Sequence, residues 1–237
     1  MAEGGFDFKK FLDETKATLV APAEYFAVMP KEGGFGEPLV KAVIYSLIAG
    51  IIGFIFSFMH LSAFSGLFGS SVGIFLIINS LIFGIIGLFI GGAIILVISS
   101  ICGGNTNYET NVRVTASLMA IYPVQALLSF LTGINIWIGQ LVFLAIALYG
   151  LYMLYIAVTK SLEGKNETAK IISIVLAVIP TLMVLSSLLC MKAASNLQDN
   201  MMKKMPIENQ EQLNKLQEQI NKAIEESKKE EEEGDKE

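Results

Sequence analysis

Long apolar stretches without any charge alternate along this chain with short polar segments. No Asp, Glu, Lys or Arg occurs in residues 42–108, 114–159 or 171–191. A helix needs about 20 apolar residues to cross a hydrocarbon layer of about 30 Å. Because a core helix of a water-soluble protein would carry a polar stripe, these stretches predict helices that span a membrane.

Polar and glycine-rich segments divide the three stretches into five predicted spans. Residues 60–73 form an uncharged turn, and polar loops follow at 103–107 and 132–135. The segment 160–170 precedes the last span. The sequence therefore predicts an all-α polytopic membrane helix bundle with spans at about 39–59, 74–101, 114–131, 136–159 and 171–191.

Polar segments flank the predicted membrane domain of residues 39–191. Residues 1–38 carry five residues on one helical face: Phe8, Phe11, Leu12, Thr15 and Leu19. This face predicts an amphipathic helix that either lies at the membrane interface or docks on the bundle. Residues 192–237 are rich in both signs of charge and predict a helical tail that ends in a disordered acidic run.

The Lys and Arg residues near the span ends predict the orientation of the chain. Six lie on the side of the N-terminus, against three on the other side (Lys31, Lys41, Arg113, Lys160, Lys165 and Lys170, against Lys192, Lys203 and Lys204). Basic residues favour the cytoplasmic side. We therefore expect a cytoplasmic N-terminus, and an odd number of spans places the C-terminus on the opposite side.

The composition supports a membrane protein and disfavours other classes. Charged residues make up 16% of the chain, whereas soluble domains have about 25%. No basic cluster typical of nucleic-acid binding occurs, so we expect no nucleic-acid partner. Cys102 and Cys190 are too few for a disulfide framework, and the topology predicts that they lie too far apart to pair.

The charge-free stretches lack the side chains of catalysis. An ion-coupled carrier or an intramembrane hydrolase needs ionisable groups within the membrane. His60 is the only histidine, and a metal site there would lack its usual partners. We expect an interfacial structural role for His60, and we predict no catalytic residue, no metal and no cofactor.

Small residues mark two candidate packing positions. Gly87 and Gly91 in the second span, and Ser46 and Gly50 in the first, follow the small-xxx-small pattern that lets membrane helices approach closely. The pattern does not decide whether the contact lies within one chain or between copies.

Prolines, one charged pair and three tyrosines complete the candidate residues. Pro123 and Pro180 predict kinks in the third and fifth spans. Glu109 and Arg113, at positions i and i+4, predict a structural pair at the start of span 3 or a partner-docking site. Tyrosines recur at every third residue of span 4 and predict packing, with a ligand-stacking ladder as the alternative (Tyr149, Tyr152 and Tyr155).

Four features occur in order along the chain: Pro22 with Phe26 before the first span, the Gly103-Gly104 pair after the second, Thr115-Ala116 through Pro123 in the third, and Tyr149 through Tyr155 in the fourth. Over about residues 19–191 the chain thereby resembles the Yip family. The resemblance implies a five-helix membrane domain with a cytosolic N-terminus. In the family that the chain resembles, eukaryotic members bind Rab GTPases and act in Golgi and endoplasmic-reticulum trafficking.

The chain departs in two ways from the eukaryotic members of the family, and these departures restrict which of their properties we expect here. The Asp-Leu-Tyr-Gly-Pro signature is absent, and a charged tail stands in place of a very short C-terminal end. Rab binding is therefore not carried over. We expect a prokaryotic member of the family, located in the cell (inner) membrane if the source is prokaryotic and in the Golgi or endoplasmic-reticulum membrane if it is eukaryotic.

Two functional hypotheses of different classes follow. The leading one is a non-enzymatic membrane scaffold or adaptor, whose partners are the lipid bilayer and a protein partner or a second copy held through the glycine-rich spans. The alternative is an oligomeric channel or carrier for a neutral or small solute, because the spans contain many glycines and two prolines. Solute flux in reconstituted vesicles distinguishes them.

Overall fold

A computed structural model describes residues 7–59, 72–204 and 218–219 of the chain. Within residues 7–59 and 72–204 there are nine helices: α1 (Phe8–Val20), α2 (Pro22–Val28), α3 (Gly36–Phe58), α4 (Val72–Ile101), α5 (Tyr108–Leu118), α6 (Ile121–Leu128), α7 (Phe130–Ile134), α8 (Ile136–Lys160) and α9 (Asn166–Lys204).

The predicted all-α membrane bundle is confirmed. In the described part of the chain, five stretches are long and apolar enough to cross a membrane: Gly36–Ser57, Phe75–Ile101, Tyr108–Ile134, Ile136–Lys160 and Asn166–Ser187. The third of these consists of α5, α6 and α7 in sequence, whereas each of the others lies within a single helix.

The membrane-length helices extend beyond the charge-free stretches. α3 begins at Gly36 and includes Glu37 and Lys41, and α5 begins at Tyr108 and includes Glu109 and Arg113. Ionisable side chains therefore do occur within the candidate spans, near one end. The sequence predicted the first span from about residue 39 and the third from about residue 114, whereas α3 and α5 begin three and six residues earlier.

Asparagine and aspartate side chains cap several helix N-termini. The Asn107 side chain accepts hydrogen bonds from the Glu109 and Thr110 N–H groups, at 2.9 and 3.4 Å. Asn135 accepts from the Trp137 N–H at 2.9 Å. These side chains satisfy N–H groups that have no partner in the first turn of a helix, and they fix where α5 and α8 begin.

The third span is broken ahead of its proline. α5 ends at Leu118, and α6, which contains Pro123, begins at Ile121. Proline has no N–H with which to bond the carbonyl four residues earlier. The Met119 carbonyl instead accepts from the Tyr122 N–H at 2.9 Å, which is a tighter turn. In the fifth span the helix runs through Pro180 without interruption.

Two apolar clusters hold the bundle together. One centres on Phe26, Val158 and Leu162 and joins α2 to α8 and the loop after it. The other centres on Leu88 and Val112 and joins α4 to α5, with α1 and α3 packed on it. The most extensive helix packing is between α3 and α4.

One face of α4 is apolar and uncovered. Its exposed residues recur at about every fourth position, so they form a row along one side of the helix: Ile78, Ile82, Ile86, Ile90 and Ile94. A continuous apolar face of this length suits contact with lipid. The row therefore agrees with a bilayer around the bundle.

The chain divides into two compact units, Met1–Leu185 and Ser186–Glu237. The helices of the first unit form the bundle. In the second unit, residues 186–204 belong to α9 and residues 218–219 are helical. His60 and most of the predicted turn at 60–73 lie outside the described residues, and so does most of the predicted charged tail.

Candidate functional site

The first helix docks on the bundle through one face. The Phe11 ring lies 5.1 Å from that of Tyr45, and the Thr15 and Tyr45 hydroxyls lie 2.7 Å apart in a hydrogen bond. Phe8 and Leu12, on the adjoining face, are exposed. Sequence reasoning left open whether this helix lies at the interface or docks on the bundle. The structure shows docking, with an apolar strip left uncovered.

A cluster of four charged side chains lies where α1 meets α3 and α5. We call Glu14, Glu37, Lys41 and Arg113 the charged cluster. The Lys41 ammonium lies 2.7 Å from a Glu14 carboxylate oxygen and 2.8 Å from one of Glu37. The second Glu37 oxygen lies 2.6 Å from Arg113 Nη2. Two cations and two carboxylates thus form one connected chain.

The two cations of the charged cluster are buried. Lys41 is 7% exposed and Arg113 is 5% exposed. Taking a charge out of water costs several kcal/mol, and the cost is offset only when partners satisfy the group. Glu37 contacts both cations and Glu14 contacts Lys41, so the loss of either carboxylate would leave a buried cation with fewer partners.

Arg113 also binds the backbone of the segment before α3. Its Nε donates to the Pro30 carbonyl and its Nη1 to the Gly34 carbonyl, both at 3.0 Å. Together with the contact to Glu37, all three guanidinium nitrogens have acceptors. A planar, multiply donating group suits this task, and it fixes residues 30–37 against α5.

Glu109 binds the same segment from a neighbouring position. Its carboxylate accepts from the Gly34 N–H at 2.6 Å, and the Thr110 hydroxyl donates to the Lys31 carbonyl at 3.1 Å. Glu109 and Arg113, which the sequence grouped as one pair, therefore lie in the first turns of α5 and both hold residues 30–37.

An exposed ion pair extends these contacts to the loop between α8 and α9. The Lys31 ammonium lies 2.5 Å from a Glu163 carboxylate oxygen. The hydrogen bond and the positive charge of Lys31 lower the pKa of Glu163 below its ordinary value. Glu163 has a φ of 58°, a left-handed conformation that few side chains adopt, so the loop presents this carboxylate from a tight turn.

The loops after α4 and α8 are joined by backbone hydrogen bonds. The Lys165 N–H donates to the Cys102 carbonyl at 2.8 Å, and the Asn105 N–H donates to the Leu162 carbonyl at 2.7 Å. Cys102 is buried, which raises the pKa of its thiol. Both Cys102 and Cys190 are free thiols. The two loops act as one structural unit.

The space beside the charged cluster is too small for a substrate. A cavity of about 10 Å³ is enclosed by residues of α2, α3 and α5, including Tyr25, Glu37, Lys41, Arg113 and Ser117. This volume holds about one water molecule, whereas small-molecule sites occupy about 300–1,000 Å³. The described residues also contain no group of three His, Cys, Asp or Glu side chains placed to bind a metal.

The predicted small-residue positions differ in what they contact. The Ser80 hydroxyl donates to the Ser46 carbonyl at 2.7 Å, and a Cβ added at Gly50 would lie 3.0 Å from the Ile77 Cα. A Cβ at Gly91 would lie 2.7 Å from a Thr115 methyl group, whereas Gly87 has open space. Three of the four positions thus face a neighbouring element of the chain.

Two tyrosines of the fourth span, Tyr149 and Tyr155, donate their hydroxyls to different partners. The Tyr149 hydroxyl donates to the Leu19 carbonyl at 2.5 Å, and its ring lies 5.9 Å from that of Tyr152. The Tyr155 hydroxyl donates to the Asn166 side chain. Tyr149 thereby ties the end of α1 to α8.

The charged cluster as a whole was missed from the sequence. Lys41 was considered only for the orientation of the chain, and Glu14 and Glu37 were not singled out. A usable signal was present, because a lysine one turn inside an apolar helix must find a carboxylate. Glu37 lies four residues before it, but the partnership with Glu14 is long-range and appears only in the fold.

Most of the chain matches a known family model. Residues 16–188 match the model described as Yip1 domain. The chain belongs to the Yip1 family. The matched region begins within α1 and covers α2 and all five candidate spans. The family assignment from the sequence is thereby confirmed. Among curated proteins and solved structures, none gives a significant match.

Proposed function

We propose that this Yip1 family protein is a non-enzymatic membrane scaffold or adaptor whose N-terminal layer docks a protein at the membrane surface. The N-terminal layer is the set formed by α1, α2, residues 29–35 and the loops 102–107 and 161–165. The observation that carries the proposal is that the charged cluster and its neighbouring hydrogen bonds tie these segments into one surface.

A rigid surface favours binding of a partner, because few of its side chains and backbone segments lose conformational freedom when the complex forms. The N-terminal layer exposes carboxylates that form no ion pair within the described residues, among them Asp13, Glu24 and Glu32. The buried charges, in contrast, are used internally. Exposed charges on a rigid frame select partners and orient them.

The lack of space at the charged cluster supports the non-enzymatic part of the proposal. Its ionisable groups enclose about 10 Å³ and are occupied with each other. The orientation belongs to the same proposal: the N-terminal layer faces the cytoplasm, and the C-terminus lies across the membrane. We place the protein in the cell (inner) membrane of a prokaryote.

Site-specific photocrosslinking tests the docking surface. A photoreactive amino acid replaces Glu24 or Glu32 in the N-terminal layer, and Ile94 serves as the control position because it lies on the uncovered apolar row of α4. We expect protein adducts of defined mass from Glu24 and Glu32, and lipid adducts from Ile94. Adducts to lipid alone at all three positions, in native membranes, would refute the adaptor role.

Reconstitution tests the alternative of a channel or carrier. Vesicles that contain the purified chain are loaded with small neutral solutes, and release is compared with empty vesicles. The adaptor proposal predicts equal release. Saturable or selective release that depends on the protein would replace the adaptor role with transport.

A further inference from the structure

A groove lies between the end of α8 and the beginning of α9, away from the charged cluster. Its volume is about 390 Å³, which is within the usual range for small-molecule sites. Leu148 and Leu151 line it from α8, and Ile174 and Ala177 line it from α9. All four are apolar, and Leu148 and Ile174 are exposed in the described chain.

One end of the groove is polar. Tyr155 and Asn166 form its wall there, joined by a hydrogen bond of 2.5 Å. Glu167 and Lys170 line the same end. The groove therefore changes from charged to apolar along its length, and its polar end lies where the fourth candidate span ends and the fifth begins.

The two charges at the polar end are available for a ligand. Both Glu167 and Lys170 are exposed, and within the described chain neither forms an ion pair. Lys31, Lys41 and Arg113, at the same end of the bundle, all have carboxylate partners. Residues three apart on a helix lie about 5 to 6 Å from each other, so a ligand with adjacent opposite charges can contact both.

We propose that this groove binds a phospholipid whose headgroup carries a phosphate and a primary ammonium. The Lys170 ammonium contacts the phosphate, the Glu167 carboxylate accepts from the headgroup ammonium, and an acyl chain lies along Leu148, Leu151 and Ile174. A primary ammonium fits better than a trimethylammonium, because only the former donates hydrogen bonds to a carboxylate. An anionic headgroup without an amine would leave Glu167 facing a negative charge.

Native mass spectrometry of the full chain tests the site. The protein is released from detergent micelles that hold equal amounts of phosphatidylethanolamine, phosphatidylcholine and phosphatidylglycerol with identical acyl chains. We expect phosphatidylethanolamine to be retained about fivefold to tenfold over the other two lipids, the size expected for the net contribution of one hydrogen bond. Equal retention of all three, or preference for phosphatidylglycerol, would overturn the proposal.

Variants assign the selectivity to the groove. Glu167→Gln should remove the preference for phosphatidylethanolamine over phosphatidylcholine, and Lys170→Gln should lower retention of all three phospholipids. Lys160→Gln is the matched control, because Lys160 is exposed at the same end of the bundle but does not line the groove. Selectivity that survives both groove substitutions, or that Lys160→Gln removes equally, would contradict the assignment. Helical circular dichroism verifies that each variant is folded.

Discussion

Arg113 is the residue whose loss should affect the N-terminal layer most. It is buried and supplies three hydrogen bonds, to the Pro30 carbonyl, the Gly34 carbonyl and Glu37. Arg113→Gln would leave Glu37 with Lys41 alone and two carbonyls without their donor. Because removing one member of a buried ion pair costs about 3 to 5 kcal/mol, we expect a loss of about 3 kcal/mol in the free energy of unfolding, measured in mixed micelles.

Two further substitutions at Arg113 and elsewhere make that test specific. Arg113→Lys keeps the charge but loses the planar fork, so it should recover only part of the loss. Lys160→Gln removes an exposed charge and should change stability by less than about 0.5 kcal/mol. If Arg113→Gln and Lys160→Gln were equally mild, the charged cluster would not hold the N-terminal segment.

The Lys31–Glu163 pair predicts a pH dependence with a definite sign. The pKa of Glu163 is lowered from 4.5 in the folded chain, chiefly by the hydrogen bond from Lys31. The contribution of the pair to stability is therefore complete above pH 4.5 and is lost as the pH falls through the lowered pKa. Carboxyl carbon NMR of Glu163 measures the midpoint directly, and Lys31→Gln should move it upward, toward 4.5.

The size of this effect on stability should be small, since the Glu163 side chain is largely exposed and salt screens it. Lys9→Gln provides the control, because Lys9 is also exposed and has no contact with Glu163. An unchanged Glu163 midpoint in Lys31→Gln would mean that the ion pair does not persist in solution.

At the scale of elements, the close approach of α4 to α5 depends on a particular glycine. A Cβ added at Gly92 would lie 2.5 Å from a Val112 methyl carbon and 3.1 Å from the Val112 Cα. The Val112 backbone cannot move away from an added Cβ as easily as a flexible side chain can. Gly92→Ala should therefore separate the helices and cost about 1 to 3 kcal/mol, measured as a shift in the detergent-induced unfolding transition.

Gly87 gives the matched control on the same helix, because a Cβ there meets open space. Alanine also favours a helix over glycine, so Gly87→Ala should be neutral or slightly stabilising. The same result for both substitutions would show that the seam between α4 and α5 is not closely packed in the membrane.

The docking of α1 can be separated from its amphipathic character. Phe11 is 3% exposed and contacts Tyr45, whereas Phe8, one turn earlier, is 59% exposed. Phe11→Ala should cost about 3 kcal/mol and release α1, so that its amides exchange hydrogen faster. Phe8→Ala should leave exchange in α1 nearly unchanged. Equal exchange in the two variants would place α1 on the lipid surface rather than on the bundle.

The number of spans was predictable from the sequence because a chain that crosses lipid must satisfy its own backbone hydrogen bonds as a helix. The polar and glycine-rich segments then divide the three charge-free stretches into five spans of sufficient length. The amphipathic α1 was predictable from its spacing. The partners of Glu14 and Arg113 were not, since they lie on elements far apart in the chain and no local period encodes them. Gly84, Gly91 and Gly92 show the same limit, because composition marks α4 as glycine-rich without saying which glycine faces a neighbour.

At the scale of the whole molecule, charge is distributed unequally between the two ends of the bundle. The N-terminal segment, the first turns of α5 and the loop between α8 and α9 carry Lys and Arg, whereas residues 129–135 carry none. The helix α8 joins the two ends with 25 residues, or about 37 Å at 1.5 Å per residue. A bundle with this asymmetry should insert with its basic end in the cytoplasm.

Single-cysteine labelling measures that orientation. In a chain with Cys102→Ser and Cys190→Ser, one cysteine is placed at Ile134 or at Lys165. Both positions are exposed, and they lie beyond opposite ends of α8. A membrane-impermeant maleimide should label Ile134→Cys in intact cells and Lys165→Cys only after permeabilisation. The reverse result would mean that the chain inserts in the opposite orientation, with the N-terminal layer outside the cell. Labelling of both in intact cells would mean that α8 does not cross the membrane, since 37 Å is enough to separate its ends.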